Sequence, residues 1–490
     1  MPERVTGMNR SEQSAEAVVV DDDEGLNEKE SETRRSLEGR GHQKPALAGP
    51  TPWSLSEARA VRCGDEVPTA GQADERSGDD DLMEQVVARD NMRAALRRVK
   101  RNQGSPGADG MSVETLTEHL KAHWVAIREQ LLAGSCLPQP VRRCDIPKAG
   151  GGVRTLGIPT VLDRLIQQAI LQVLQPRFDP TFSEHSYGFR PGRSAHDAVR
   201  QARAYIQAGR CIVVDVDLEK FFDRVNHDVL MGKVAKRIED RRLLKLIRCY
   251  LEAGVLADGV VSVQQEGTPQ GGPLSPLLAN VLLDDVDKAL ERRGHAFVRY
   301  ADDCNVYVRS QRAGERVLAG LRRLYAQLRL RINEAKSAVA PATGRPFLGY
   351  AFWTRKGLVR YAVAYKTLDA LKTRLRRTTA RNGGRSLPQV AEELRGYLPG
   401  WKVYFRLAET PGVFRSLDQW LRHRLRALQL KQWRRGRTIY RELRARGVSH
   451  DLAAQAAAGG RRWYRHSMRL INRVLPTAEL IALGVPLMSH

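Results

Sequence analysis

Apolar residues recur along this chain in distinct rhythms, and each rhythm predicts an element. Leu82, Val86, Val87, Met92 and Leu96 fall at roughly helical spacing, ahead of a Gly/Pro-rich turn at Gly104–Gly110. From Val161 onward, Leu162, Leu165, Ile166, Ala169, Ile170, Val173 and Leu174 repeat at i, i+3, i+4, i+7, which predicts an amphipathic helix. Cys211–Val216 is a short β-branched run ending in acidic residues, the pattern of a buried strand that delivers carboxylates at its end. Phe297–Val308 has the same character, with carboxylates interrupting the apolar segment, as in a hairpin whose charge sits at the turn. Leu368, Leu371 and Leu375 mark a later helix whose other faces carry Lys372, Arg374, Arg376 and Arg377; it reads as a solvated helix or as one tracking a duplex backbone. Residues 1 to about 80 show no such rhythm. They mix Ser, Glu, Asp, Gly and Pro, include the acidic runs Asp21–Glu24 and Asp79–Asp81, and predict disorder with no catalytic role.

Length and charge sharpen this picture. A chain of 490 residues exceeds one ordinary core, so several domains are expected. The 80 Lys and Arg against 56 Asp and Glu leave +24, an excess that usually faces a polyanion such as nucleic acid. Its distribution is uneven. Residues 1–82 hold 19 acidic and 10 basic side chains, whereas residues 355–490 hold 29 basic and 8 acidic. A polyphosphate partner is therefore expected along the C-terminal third, where Lys and Arg would displace condensed counterions; the alternative is a merely solvated basic surface. Six scattered cysteines form no C-x-x-C pair, which argues against a disulfide framework or a zinc knuckle and fits a reducing cytoplasm. No apolar stretch is long enough to suggest a leader or a membrane span.

Three carboxylates carry the candidate chemistry. Asp217 follows Ile212-Val-Val-Asp-Val, and Asp302-Asp303 follows Tyr300-Ala301, so each charge stands where burial would be costly without a partner. An isolated Asp-Asp pair is more often a surface turn, but here a third carboxylate ends another apolar run. Adjacent carboxylates stay ionised near a third when hard divalent cations sit between them. Two such ions about 4 Å apart can activate an attacking oxygen and stabilise a leaving one in phosphoryl transfer.

Tyr300-Ala-Asp-Asp303 resembles the signature of reverse transcriptases, and Asp217-Leu-Glu-Lys-Phe-Phe-Asp223 resembles the other metal-binding motif of their palm. Thr268-Pro-Gln-Gly-Gly-Pro-Leu-Ser-Pro276 is similar to the motif lining the nascent base pair, and Phe347-Leu-Gly-Tyr350 to the primer grip. Tyr187–Asp197 and Lys148–Pro159 resemble the group II intron-encoded branch, and the resemblance runs from about residue 82 to the C-terminus. It implies an α+β right-hand polymerase fold, with fingers and an antiparallel palm sheet followed by a helical thumb and maturase domain. The expected divisions are a tail over 1–81, an N-terminal extension and fingers over 82–210, a palm over 211–352, and a thumb and RNA-binding maturase domain over 353–490.

Residue by residue, the resemblance makes Asp217, Asp302 and Asp303 the ligands of two Mg2+ ions, with the Leu218 carbonyl as a further ligand. Asp223 reads better as a cap of the following helix. Phe222 falls where an aromatic ring excludes a ribose 2′-hydroxyl, while Phe221 reads as core. Arg142, Lys148 and Arg154 fall at positions touching triphosphate or template; Arg offers a two-pronged fork and Lys a point charge. Gln270 is expected against the nucleotide pocket, and Lys336 resembles the lysine proposed to protonate departing pyrophosphate.

The stretches Gly396–Phe405, Trp420–Arg426 and Lys431–Arg435 look like the intron-maturase domain, where aromatics interleaved with arginines suit folded RNA. On this resemblance Arg374, Arg377, Arg422, Arg426, Lys431, Arg434 and Arg435 are RNA-binding, while Trp401 and Phe405 read as core. The segment after Trp463 offers neither paired cysteines nor ligand-spaced histidines, so the endonuclease-lacking type is expected, with no second-strand cleavage. Implied partners are the group II intron RNA, an RNA template with DNA primer, target DNA and deoxynucleoside triphosphates. Three readings stand: a reverse transcriptase that assists its intron's splicing, a maturase whose polymerisation is vestigial, or another bacterial reverse transcriptase such as a retron or diversity-generating enzyme. The intact carboxylate triad favours the first, and the basic C-terminal segment disfavours the third. The oligomeric state is not legible in the sequence.

Overall fold

The computed structural model describes residues 81–147, 153–257, 260–262, 266–268, 271–458 and 476–489. The expected tail, save Asp81, and the expected nucleotide contacts Lys148 and Gln270 therefore lie outside the described residues.

The N-terminal helical pattern is realised as two helices, α1 (Leu82–Val87) and α2 (Arg89–Asn102), broken at Ala88, whose ψ of 138° is extended. Helix α3 (Leu116–Leu132) follows, then the antiparallel hairpin β1 (Val141–Pro147) and β2 (Val153–Ile158). The long apolar stripe becomes α4 (Val161–Phe178), started by Thr160, whose hydroxyl accepts from the Asp163 amide. Helix α5 (Ala195–Gln207) begins with a reciprocal capping box between Ser194 and Asp197. Strand β3 (Ile212–Val216) leads through a 3-10 turn at Phe221–Arg224 into α6 (His227–Val234) and α7 (Arg241–Glu252). Strands β4 (Val255–Ala257) and β5 (Val260–Ser262) complete a four-stranded sheet of order β2-β1-β4-β5.

The second sheet positions the site. Helix α8 (Ser275–Arg292) precedes the hairpin β6 (Ala296–Tyr300) and β7 (Asp303–Val308), followed by α9 (Gln311–Gln327) and β8 (Ala338–Pro341). The sheet runs β6-β7-β3-β8 with every neighbouring pair antiparallel. Alternation splits its residues between two cores. Val214, Val216, Cys304, Val306 and Val308 join a cluster that includes Leu165 of α4, Leu282 of α8 and Leu321 of α9. Val213 and Tyr307 face the other way, toward Val199 of α5 and the hairpin of β9 (Tyr350–Arg355) and β10 (Leu358–Val363).

The C-terminal part is helical: α10 (Tyr365–Thr378), α11 (Leu387–Tyr404), α12 (Pro411–Trp433), α13 (Gly436–Ala445), α14 (His450–Ala458) and α15 (Thr477–Ala482). The first core runs without a break from Leu82 to Leu330, so packing crosses the division expected after residue 210. The second core likewise joins Val213 to Leu421 across residue 352.

Candidate active site

The carboxylates meet because of strand register. Strand β3 pairs with β7 as Val213↔Tyr307, Asp215↔Asn305 and Val216↔Cys304, so one further step sets Asp217 beside Asp303. Residues 213, 215 and 217 share one face with 307, 305 and 303. Cross-strand side chains so paired have Cβ atoms about 5 Å apart. Asp302 lies in the two-residue turn that closes the hairpin, since Tyr300 pairs with Asp303. Ala301, the first residue of that turn, has φ +58°, a left-handed conformation that disfavours a side chain and must be held by its surroundings.

Those surroundings are built by residues that the sequence reading did not assign. Arg299 is completely buried inside β6. Its guanidinium donates to both Asp287 oxygens (2.6–2.9 Å), to Asn280 Oδ1 (2.9 Å), to Ser186 Oγ (2.7 Å) and to the Ala301 carbonyl (2.8 Å). Burial opposes both charges and raises the Asp287 carboxyl, whereas at Arg299 the attraction of the Asp287 carboxylate outweighs burial. Gly188 packs so closely on the turn that an added Cβ would stand 2.3 Å from the Ala301 amide nitrogen, and its carbonyl accepts from Asn280 (3.0 Å). The Tyr187–Asp197 motif thus braces the Tyr300–Asp303 turn. Its Arg190 is buried on Asp179 (2.9 Å) and on the carbonyls of Ser183 and Ser186. The available sequence signals were an arginine within an apolar strand and the buried polar stripe Asn280, Asp284, Asp287 at i, i+4, i+7 of α8.

Asp217 is clamped at its backbone by the segment Asn333–Ser337. The Asn333 amide donates to its carbonyl (2.8 Å), and its own amide donates to Ser337 Oγ (3.0 Å). Its Oδ2 is screened from solvent without an aligned hydrogen bond, and the nearest compensation is the Lys336 ammonium 3.1 Å away. The bridge Leu218↔Ile332 uses the Asp217 carbonyl and the Glu219 amide, leaving the Leu218 carbonyl outside the ladder. Arg345 pairs with Asp215 (2.7 Å) and donates to the Lys336 carbonyl, which fixes the loop carrying the ammonium.

Burial, then the negative charges of Asp302, Asp217 and Asp215, push the Asp303 carboxyl up to about 7, with Lys336 opposing. The residue is nonetheless open to solvent on one side, the direction from which a cation would approach. A screened carboxylate oxygen without a donor, an unspent carbonyl and an aspartate that resists ionisation together fit hard cations, with Lys336 standing in for part of their charge. Among the described residues no group of three acid, Cys or His side chains is drawn tight enough for coordination.

The remaining expected residues are placed as follows. Phe222 is partly buried, edge-on to the fully packed Phe221 (5.1 Å between centroids), and its carbonyl accepts from the Thr268 amide (2.7 Å). That bond ties the Thr268–Pro276 motif to the aromatic. Asp223 is exposed, and the cap of α6 belongs to Asn226, whose side chain accepts from the Val229 amide; this corrects the expected cap. Arg142 is exposed on β1, and the backbone of Arg154 on β2 pairs with Ile146. Gly271, at φ +137°, lies against Gly157 of β2, which brings this basic hairpin to the Thr268–Pro276 motif. Phe347 and Tyr350 close a tight turn whose Leu348 and Gly349 both have positive φ, and an added Cβ at Gly349 would meet the Phe405 ring at 3.2 Å.

In the C-terminal helices Arg374, Arg377, Arg434 and Arg435 are exposed, Arg374 lying over the Tyr397 ring at 3.8 Å. Arg422 is half-buried, and Lys431 donates to Asn382. Arg426 is different. It is buried, burial lowers its affinity for a proton, and so it presents no surface to RNA as the sequence suggested. Lys372 is also buried, although it was expected on a solvated face. Trp401 and Phe405 pack together in the second core, 4.6 Å apart.

Carboxylates at the ends of adjacent antiparallel strands, beside a basic hairpin and ahead of a basic helical region, define a nucleotidyl-transferring polymerase. Comparison agrees: the family described as "Reverse transcriptase (RNA-dependent DNA polymerase)" matches residues 146–352, and "Group II intron, maturase-specific domain" matches residues 368–447. Protein YkfC of Escherichia coli (strain K12) is 32% identical over 332 residues, 59% of this chain and 85% of YkfC. Group II intron-encoded protein LtrA of Lactococcus lactis subsp. cremoris is 39% identical over 182 residues, 37% of this chain and 29% of LtrA. A solved structure titled "Partial Cas6-RT-Cas1--Cas2 complex" aligns at 25% identity with a TM-score of 0.34, covering 50% of this chain and 42% of that one. This chain belongs to the group II intron-encoded reverse transcriptase and maturase family. No helix among the described residues is long and apolar enough to cross a membrane.

Proposed function

We propose that this chain copies its intron RNA into DNA by two-metal phosphoryl transfer in the cytoplasm, and that its C-terminal helices hold the intron RNA for splicing and mobility. The observation that carries this reading is the register that sets Asp217 beside Asp303 with Asp302 in the adjoining turn. Read this way, the β6-β7-β3-β8 sheet is the palm of a right hand, the β1–β2 hairpin belongs to the fingers, and α10–α12 form the thumb.

Asp217, Asp302, Asp303 and the Leu218 carbonyl would hold the Mg2+ ions. When bound, the ions supply activation of the primer 3′-hydroxyl and neutralise charge on the departing pyrophosphate. The chain's own groups do the rest. Arg142, Lys148 and Arg154 bind triphosphate or template, and Gln270 borders the nucleotide pocket. Phe222 stands under the incoming sugar and leaves no room for a 2′-hydroxyl. Lys336, 3.1 Å from Asp217, would hand a proton to departing pyrophosphate.

The test is incorporation of deoxynucleotides on an RNA template with an annealed DNA primer, in Mg2+. The parent protein extends the primer, and Asp302→Ala loses at least about a thousandfold in rate, the scale of removing an essential electrostatic element. Binding of the intron RNA persists in the variant. Extension by Asp302→Ala at the parent rate discards the assignment.

A further inference from the structure

At the far end of the β6–β7 hairpin from the catalytic turn, a cleft of about 480 Å³ opens between the C-terminal end of α8, the start of β6 and the outer face of α9. Five arginines line it, Arg210, Arg293, Arg309, Arg316 and Arg323, together with His295, and no acidic residue does. Arg293, Arg309, Arg316 and Arg323 are exposed, and among the described residues none of these four has a carboxylate partner. Arg322, the neighbour of Arg323, by contrast pairs with Glu334 at 2.7 Å. Burial and then the Arg293 charge lower the proton affinity of His295, which reflects the same positive field. Unpaired guanidiniums concentrated in one concavity raise the local anion concentration, and their forks match phosphate oxygens.

We propose that this cleft is a second nucleic-acid site, which takes the phosphodiester backbone of a strand rather than a nucleotide. Three features select the backbone. The arginines come from four separate segments, the α5–β3 connection, the end of α8, the end of β7, and α9, so they are spread for successive phosphates rather than gathered on one. The wall offers a base no exposed Phe, Tyr or Trp ring, since Tyr307 is buried and the remaining ring is the half-buried His295 imidazole. And the cleft is separated from Asp303 by the length of the hairpin, Ala296↔Tyr307 against Tyr300↔Asp303, about 13 Å along the strands. An arginine there cannot serve the triphosphate held at the carboxylates. The cleft would instead grip template or intron RNA that passes behind the palm, leaving catalysis itself untouched. The arginine-rich C-terminal helices are elsewhere in the fold, so the chain would hold nucleic acid at two surfaces.

The experiment compares the full-length parent with the triple variant Arg293→Gln/Arg316→Gln/Arg323→Gln and with the corresponding triple Lys variant. Affinity for a long single-stranded RNA, and for DNA of the same sequence, is measured across a salt series; extension of a short primer–template that fills only the catalytic cleft is measured beside it. Three lost phosphate contacts at roughly 0.7 each lower the slope of log affinity against log salt by about 2. The expected result is that decrease, with about tenfold weaker binding at low salt, in the Gln triple alone, while the Lys triple and short-template extension match the parent. Loss with RNA only assigns the cleft to template or intron RNA, and loss with DNA as well assigns it to either strand. An unchanged slope on both nucleic acids overturns the proposal.

Discussion

At the scale of single residues, the carboxylate cluster sets stability against function. The Asp303 carboxyl in the folded, cation-free protein holds its proton up to about 7, whereas an unfolded aspartate releases it near 3.9. A folded pKa above the unfolded one contributes stability that is full below the unfolded value and is lost as pH rises through the folded one. The melting temperature of the protein in chelator should therefore fall from about pH 4 to about pH 7 and level off above, Mg2+ should restore it most at the upper end, and Asp303→Asn should flatten both responses. Melting in chelator that does not change over this interval contradicts the picture of the cluster. Phe222 gives a second expectation at this scale. Phe222→Ala should raise incorporation of ribonucleotides relative to deoxyribonucleotides, and an unaltered ratio in paired extension assays discards the steric gate. The triad was legible in the sequence because a charge breaking an apolar strand is expensive and so calls for an explanation. Asn333 and Ser337, which clamp Asp217, gave no such signal, because polar residues in a loop look the same whether or not they close on a distant strand.

Among the elements, the β6–β7 hairpin depends most on its support. Its strained turn rests on Arg299, Asn280, Ser186 and Gly188, drawn from three stretches of chain. Arg299→Met leaves Asp287 buried without its counter-charge and should lower unfolding stability by about 3–5 kcal/mol in denaturant titration. Gly188→Ala separates positioning from stability. Its methyl would press on the Ala301 amide, so the expected outcome is a fall in kcat with a smaller change in melting temperature; a variant with parental kcat would show that the turn tolerates displacement. The elements themselves were largely readable. The stripe from Val161, the run to Val216 and the interrupted segment from Phe297 became α4, β3 and the hairpin. The reading failed on faces. Lys372 and Arg426 are buried in helices packed on several sides, where a single apolar stripe understates how much surface is covered.

For the whole molecule, charge and register divide the labour: the register gathers acid at one sheet edge, and the C-terminal helices display cations. Arg434→Gln/Arg435→Gln should weaken binding of the intron RNA and reduce its salt dependence, with little loss of stability, because both residues are exposed. Arg426→Gln should act through stability, its side chain being buried; comparison of RNA affinity with melting temperature across these variants distinguishes the two modes. Neither outcome touches the premise on which polymerisation rests, that residues far apart in sequence share one cation site. Substituting Fe2+ for Mg2+ in the presence of ascorbate and peroxide, and mapping where the backbone is cut, reads that premise without relying on turnover. Cuts are expected at both 217 and 302–303, are competed away by Mg2+, and disappear together in Asp217→Asn. Cutting at only one of these positions, or at neither, would show that the three carboxylates do not form a single metal site.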